Sequence, residues 1–356
     1  MNRRIKSCCS QLLHKACCCF LIMVCFLFLG SGCHSSNAPA VKTVRIGLAM
    51  YSQNDTFISA VVQEMEQLAR EKESVSDLKI NLNLADGQSN QTVQLEQIDR
   101  FLDSGCDVLC VNIVDRTAAA VLIDKAASRD IPVIFFNRQP VQEDLQRWEK
   151  VYYVGPKGEE SGIYQGEIIL EAWRKDQPDI DKNGDGTIQY VMLEGEPGHQ
   201  DAMLRSEYAI KPLLKANILL EKLDSDTANW SRSQAAAKMK QWCEMFGEKI
   251  EVVIANNDDM ALGAIDAMKE AGIAPLPAVV GVDATEPAIE ALRKKELLGT
   301  VQNAPEMPGV LLELALRLSD PESSLEKMQI EEGHYIWLPY YKITRETLIQ
   351  QEIEGF

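Results

Sequence analysis

The sequence predicts an α/β protein whose globular part is built from two parallel sheets covered by helices. From residue 44 onward, short apolar runs alternate with amphipathic helical stretches, the pattern of βαβ units around a parallel sheet. The runs are too many for one sheet, and 356 residues suit two domains of ordinary size, each with its own core. Four of the apolar runs also end on a carboxamide or carboxylate: VIFFN on Asn137, VVIANN on Asn257, VVGVD on Asp283 and GTVQN on Asn303. In an open parallel sheet, ligands sit just beyond the carboxyl ends of the strands, so polar planar groups recurring there converge on one crevice. Asn and Asp are equally the residues that form turns and cap helices after any strand.

The amino end reads as an export leader. Arg3, Arg4, Lys6 and Lys15 precede an apolar run from Ala16 to Leu29, shorter than the roughly 20 residues a membrane-spanning helix requires. Leu29-Gly30-Ser31-Gly32-Cys33 resembles a bacterial lipoprotein processing site, which implies lipidation of Cys33 and an extracytoplasmic, membrane-anchored protein. The polar stretch 34–43 then reads as a flexible tether. Seven of the ten cysteines belong to the leader, leaving Cys106, Cys110 and Cys243 in the globule. That is no disulfide framework, and the Cys106/Cys110 spacing does not fit zinc; buried thiols are expected, a bridge between the two remaining possible. Removing the leader's four basic and no acidic residues takes the net charge from −17 to −21. Nucleic acid is excluded on that ground, because phosphate contacts need clustered Lys and Arg.

The first sheet takes strands near 44–50, 79–85, 108–114, 132–137 and 151–155. A helix over 56–73 places Phe57, Val61, Met65 and Leu68 on one face, with charge on the other. The second series opens with a helix over 159–175, followed by strands near 187–194, 218–223, 250–256, 278–282 and 299–303, with helices between them. A helix over 307–319 follows, and 335–341 reads as one further strand.

Two motifs carry chemistry. Asp181-Lys182-Asn183-Gly184-Asp185-Gly186-Thr187-Ile188-Gln189 matches an EF-hand calcium loop: oxygen side chains at alternate positions, a Gly at the sharp sixth place and a carbonyl at the seventh. The twelfth place, a bidentate Glu in an EF-hand, is Met192 here, so a bound calcium ion needs a carboxylate from elsewhere; a solvated turn is the alternative. The second motif, Gly195-Glu196-Pro197-Gly198-His199-Gln200-Asp201, leaves a strand and opens a helix with Arg205 one turn on. An ionised carboxylate that accepts and a guanidinium that donates suit neighbouring hydroxyl groups, each of which does both. Equally, Asp201 and Arg205 can be a cap and its ion pair. His199 adds a donor or acceptor, and Phe57 and Trp230 offer flat faces after strands, matched to the C–H face of a pyranose or to an ordinary core.

On these residues the chain resembles the periplasmic galactose/glucose-binding protein family, sugar receptors of ABC transporters. The resemblance runs from Arg45 to about Tyr340 through Tyr-Tyr-Val-Gly at 152–155, Glu-Ser-Gly-Ile at 160–163, Gly-Glu-Pro-Gly-His at 195–199, Val-Val-Ile-Ala-Asn-Asn-Asp at 252–258 and Gly-Val-Asp at 281–283. It implies two Rossmann-like domains joined by a three-strand hinge, the type I periplasmic binding protein fold. By it, residues 44–156 and 304–336 form one domain, and 157–303 and 337–356 the other. It implies that Asp55, Asn137, His199, Asp201, Arg205, Asn257, Asp283 and Asn303 hydrogen-bond a hexose between Phe57 and Trp230. It also implies calcium on Asp181, Asn183, Asp185, Thr187 and Gln189, with Glu251 as the distant carboxylate. The expected protein is a monomeric, non-enzymatic solute receptor delivering galactose, glucose or a related hexose to a permease. The tract 141–150, the stretch 305–334 and the carboxyl tail depart from the family pattern.

Three rival functions are distinct. A glycoside hydrolase would pair carboxylates among Asp55, Asp201 and Asp283, though no other catalytic motif accompanies them. A sugar-responsive transcription regulator would need a basic helix-turn-helix before residue 44, where the leader stands instead. A receptor signalling to a membrane kinase or chemoreceptor would keep the binding site and change only the client.

Overall fold

The computed structural model describes residues 42–354; the expected leader, Cys33 and the tether up to residue 41 lie outside them. Lys42 and Thr43, expected in the tether, already belong to the first strand. Among the described residues no helix is long and apolar enough to cross a membrane.

The first lobe runs β1 (Lys42–Met50), α1 (Thr56–Ser74), β2 (Leu78–Asp86), α2 (Gln91–Asp103), β3 (Val108–Val111), α3 (Ala119–Ala127), β4 (Val133–Phe136) and β5 (Val151–Gly155). The chain then builds the second lobe through α4 (Gly158–Lys175), β6 (Thr187–Glu194), α5 (Gln200–Ala209), β7 (Leu219–Thr227), α6 (Arg232–Phe246), β8 (Val252–Ala255), α7 (Asp258–Glu270), β9 (Ala278–Asp283), α8 (Glu286–Arg293) and β10 (Gly299–Asn303). It ends with α9 (Met307–Leu318), β11 (Tyr335–Trp337), β12 (Tyr340–Thr344) and α10 (Arg345–Glu354).

Two six-stranded sheets result, ordered β11-β5-β4-β3-β1-β2 and β12-β10-β9-β8-β6-β7. Every pairing is parallel except β10 with β12. β3, β4 and β8 are buried along their whole length, as continuous apolar runs must be when helices cover both faces. One core, against α1 and α9, and another, around α2 and α3, cover the two faces of the first sheet. In the second sheet, α6, α7 and α8 cover one face and α4 and α5 the other.

The chain passes between sheets three times: from β5 to α4, from β10 to α9, and from β11 to β12. The segment expected as one strand over 335–341 is therefore two. Tyr335–Trp337 pairs with Tyr153–Gly155 in the first sheet, and Tyr340 pairs with Asn303 in the second. Pro339, lacking an N–H, stands at the break. The 108–114 run also stops as a strand at Val111, and Asn112 and Ile113 continue it as buried residues outside the ladder.

α1 buries Ile58, Val61, Val62, Met65 and Ala69, a stripe rotated from the expected Phe57, Val61, Met65 and Leu68. Phe57 and Leu68 lie at its edge, half-buried, which leaves the Phe57 ring partly free. Full burial of a side chain such as Met65 stabilises the lobe by about 1.5–3 kcal/mol.

Candidate functional site: a cavity between the lobes

Three helices point their amino ends at the cleft, and a residue singled out from the sequence caps each one. Asp55 Oδ1 accepts from Ile58 N at 2.8 Å at the start of α1, and Asn257 Oδ1 accepts from Met260 N at 3.0 Å at the start of α7. His199 Nδ1 accepts from Asp201 N at 3.1 Å at the start of α5. Capping and lining the cleft are thus one arrangement, because each cap uses a single atom of a planar group. For His199 the consequence is chemical: with Nδ1 accepting, the proton sits on Nε2, which becomes a donor.

The first lobe brings Asp55, Phe57 and Asn137 to the cavity; the second brings His199, Asp201, Arg205, Trp230, Asn257 and Asp283. Asn303 stands behind them, 3% exposed, with Nδ2 donating to Asp283 Oδ1 at 3.3 Å. Tyr51, Ile58 and Arg138 also line the cavity and carried no sequence signal. Tyr51 donates its hydroxyl to Asp55 Oδ2 at 2.5 Å, and the Arg138 guanidinium stacks 3.6 Å over the Tyr51 ring. Asn137 takes φ of 60°, and Asn112, fully buried below it, donates to its Oδ1 at 3.1 Å. Asn229 and Trp230 also have positive φ, as do Asp283 and Ala284, so part of the cavity's edge is built on left-handed backbone.

Arg205 anchors the second lobe's side. It is 3% exposed and donates to the Asn256 carbonyl at 2.7 Å, to Ser161 Oγ at 3.2 Å and to Tyr340 Oη at 3.4 Å. Its Nη2 lies 3.6 Å from Asp201 Oδ2. Burial opposes its charge, and Tyr340, Asp283 and Asp201 more than offset that, so the guanidinium stays protonated. Burial pushes the Asp201 carboxyl up against the pull of Arg205, Arg116 and Arg138, and raises Asp283 further. Burial, reinforced by Arg138, Arg205 and Arg116, holds His199 well below the ordinary imidazole value and so neutral. The Trp230 ring lies on Gly195, where a Cβ would come within 2.1 Å of it, and meets His199 edge-on at 5.1 Å. Among the described residues, Trp230 Nε1 and Asn303 Oδ1 are buried without a hydrogen-bond partner, an expensive condition.

The lobes touch around this cavity. Thr56 Oγ1 donates to Asp259 Oδ2 at 2.7 Å, Arg138 Nη2 to Glu196 Oε2 at 2.7 Å and Gln200 Nε2 to Gln139 Oε1 at 3.3 Å. The site therefore combines guanidinium and neutral donors, carboxyl groups and two flat rings, supplied from both sides of a hinge.

Residues 46–322 match the periplasmic binding protein domain family. The chain belongs to the periplasmic binding proteins. The D-galactose/methyl-galactoside binding periplasmic protein MglB of Haemophilus influenzae is 38% identical over 317 residues, 88% of this chain and 93% of that one. A solute binding protein of an ABC transporter from Bacillus halodurans, solved with myo-inositol, superposes with a TM-score of 0.71 at 26% identity, covering 89% of this chain and 99% of its own. The periplasmic solute binding protein from Actinobacillus succinogenes, solved with D-allose, shares the fold at a TM-score of 0.73 and 21% identity, covering 86% of this chain and 99% of its own.

Away from the cleft, this binding protein places the expected calcium residues in one loop. Asp181 Oδ1 accepts from Gly184 N at 2.8 Å and its Oδ2 from Gly186 N at 2.9 Å. Asp185 accepts from Thr187 N at 2.8 Å and from Gln189 Nε2 at 2.9 Å, while Asn183 Nδ2 donates to Gln189 Oε1 at 3.0 Å. Glu251, 1% exposed, reaches the same loop, accepting from Lys182 N at 2.7 Å and Gln189 N at 3.1 Å. Burial raises the Glu251 carboxyl, and Lys182 Nζ is turned away onto the carbonyls of Pro275 and Leu276. Among the described residues no three His, Cys, Asp or Glu side chains stand together in a metal-holding arrangement. The donor types are the hard oxygens calcium prefers, but here they serve the loop's own hydrogen bonds. Cys106, Cys110 and Cys243 are free; burial raises the first two thiols to about 11 and about 12, so they are inert.

Proposed function

We propose that this periplasmic binding protein captures a hexose, D-galactose or D-glucose or a close relative, by hinge closure, and delivers it to an ABC transporter outside the cytoplasm. The observation that carries the reading is the cavity itself. Carboxylates, a guanidinium, amides and a neutral His donor from two lobes face one small space beside Phe57 and Trp230. Hydroxyl groups both donate and accept, so a polyol satisfies such a set without a net charge of its own. The 38% identity to a galactose-binding protein supports galactose within the sugar class. Binding without conversion fits the same geometry: Asp55 is engaged as a cap and by Tyr51, and Asp201 faces Arg205. A ligand touching both lobes favours the state in which they meet.

Calcium belongs to the same proposal. Asp181, Asn183, Asp185, Gln189, the Thr187 carbonyl and Glu251 would hold it, and the ion would offset two of the three carboxylate charges and tie the loop to the start of β8. Lipidation at Cys33 would keep a monomeric receptor at the membrane surface. Calorimetric titration of the purified protein with galactose, glucose, ribose and myo-inositol tests the sugar assignment. Saturable micromolar binding, about −8 kcal/mol, of galactose or glucose is expected, and absence of heat with every hexose overturns it.

A further inference from the structure

Asp258 is fully buried and opens α7, yet it does not cap its own helix. Its Oδ2 accepts from Thr285 N at 2.8 Å and Thr285 Oγ1 at 3.3 Å, and its Oδ1 accepts from Thr300 Oγ1 at 2.6 Å. Thr300 Oγ1 in turn accepts from Ala284 N at 3.3 Å. One carboxylate thus brackets the turn after β9 from both sides.

That turn contains the unfavourable backbone of the second lobe's sugar edge: Asp283 has φ of 113° and Ala284 φ of 54°. Neither residue is glycine, so the conformation is unfavourable at both and persists only where neighbours impose it. β9 is cut to fit the bracket. A Cβ on Gly281 would lie 2.2 Å from Asp258 Oδ1, so glycine lets the carboxylate lie against the strand. The motif Gly281-Val282-Asp283 therefore ends in a residue bracketed by the first residue of the preceding helix.

We propose that Asp258 is a positioning residue for ligand recognition: it holds the strained turn at Asp283–Ala284 and so aims the Asp283 carboxylate into the cavity, without touching the ligand. The inference rests on the sugar reading of that cavity. It predicts that recognition of one hydroxyl, the one Asp283 meets, depends on a residue outside the site.

A panel of monodeoxy sugars titrated into wild type and Asp283→Ala first identifies that hydroxyl, as the position where deoxygenation costs affinity in wild type and nothing in the variant. Asp258→Asn keeps shape and one acceptor but gives the turn a donor where it needs an acceptor. It should weaken the parent sugar about 10- to 100-fold, and its discrimination at that single position should collapse toward one while the other positions keep theirs. A generally loosened lobe would weaken every sugar alike. Thr300→Val, which replaces one hydroxyl by a methyl, should give the same position-specific change at lower amplitude, with Thr300→Ser close to wild type. A folded Asp258→Asn or Thr300→Val protein with an unchanged deoxy-sugar profile overturns the proposal. So does a Thr300→Val protein that fails to fold, since these bonds would then serve the fold and not the turn. If wild type binds no hexose, the sugar reading itself fails; that outcome is distinct from binding in which Asp258 plays no part.

Discussion

Replacing Asp201 by Asn tests the site at its most exposed assumption, that a buried carboxylate is there for the ligand and not for Arg205. The substitution preserves shape and removes one charge. In the structure no group among the described residues donates a hydrogen bond to that carboxylate, and its ion pair with Arg205 spans 3.6 Å, beyond hydrogen-bond reach. Arg205 keeps its bonds to Asn256, Ser161 and Tyr340 and stays near Asp283. The roughly 3–5 kcal/mol cost of orphaning a buried charge is therefore an upper bound on lost stability. Relief of a carboxyl that burial has pushed up works in the opposite direction. The two effects on the free protein oppose one another, whereas the effect on affinity has one sign. A sugar hydroxyl donating to a carboxylate is worth about 1.5–3 kcal/mol, so Asn should weaken binding roughly 10- to 150-fold. Calorimetry gives the dissociation constant and a thermal melt of the free protein gives the control. A constant within a factor of two of wild type, in a protein that melts normally, would refute the assignment of Asp201 to the ligand.

The remaining expectations concern stacking, calcium and pH. Trp230→Ala removes a plate covering one pyranose face, roughly 60–80 Å², which at about 25 cal/mol per Å² is about 1.5–2 kcal/mol; titration should show about 10- to 30-fold weaker binding, and unchanged affinity would make Trp230 a core residue only. Exhaustive chelation should lower the melting temperature without altering the order of sugar preference, and Glu251→Gln should melt the same with and without calcium; a wild-type melt indifferent to chelation would remove calcium from the account. Burial pushes Asp258 up to about 7, against the hydrogen bonds from Thr300 and Thr285. Its folded form thus holds a proton more tightly than the unfolded chain, whose value is near 3.8. The stability this contributes is complete below that value and lost as pH rises through about 7. Melting temperatures from pH 5 to 8 should fall more steeply for wild type than for Asp258→Asn, and parallel curves would contradict the assignment.

Much of this architecture was legible because two periodicities coexist in the chain. Short apolar runs without alternation, such as VIFF and VVIA, bounded by polar turn residues, suit strands covered on both faces, and the 3.6-residue stripes between them suit the helices that cover them. The terminal segment reads as one strand because Tyr335 to Tyr341 is apolar and aromatic apart from Pro339. Pro339 marks a break locally, but which sheet each half joins is set by distant partners, Tyr153–Gly155 for one and Asn303 for the other. Asn257 was legible because it closes an apolar run and opens a helix, and His199 because its motif leaves a strand for a helix, whereas Asp55, five residues past the end of β1, was pointed to by the family resemblance; each caps a helix that opens on the crevice.

Tyr51, Asn112, Arg138 and Asp258 had no such signature. Tyr51 N meets Asn112 across 61 positions, Asn112 meets Asn137 across 25, and Asp258 meets Thr300 across 42. The sequence by itself determined which residue types stand at the strand ends, because strand, cap and turn are local events governed by neighbouring side chains. Only the tertiary structure decided which of them share a cavity, which way each planar group turns and which buried residue holds it there. Hydrogen bonds made between neighbouring strands and helices of one lobe depend on how distant parts of the chain are brought into register, and that is a property of the whole chain.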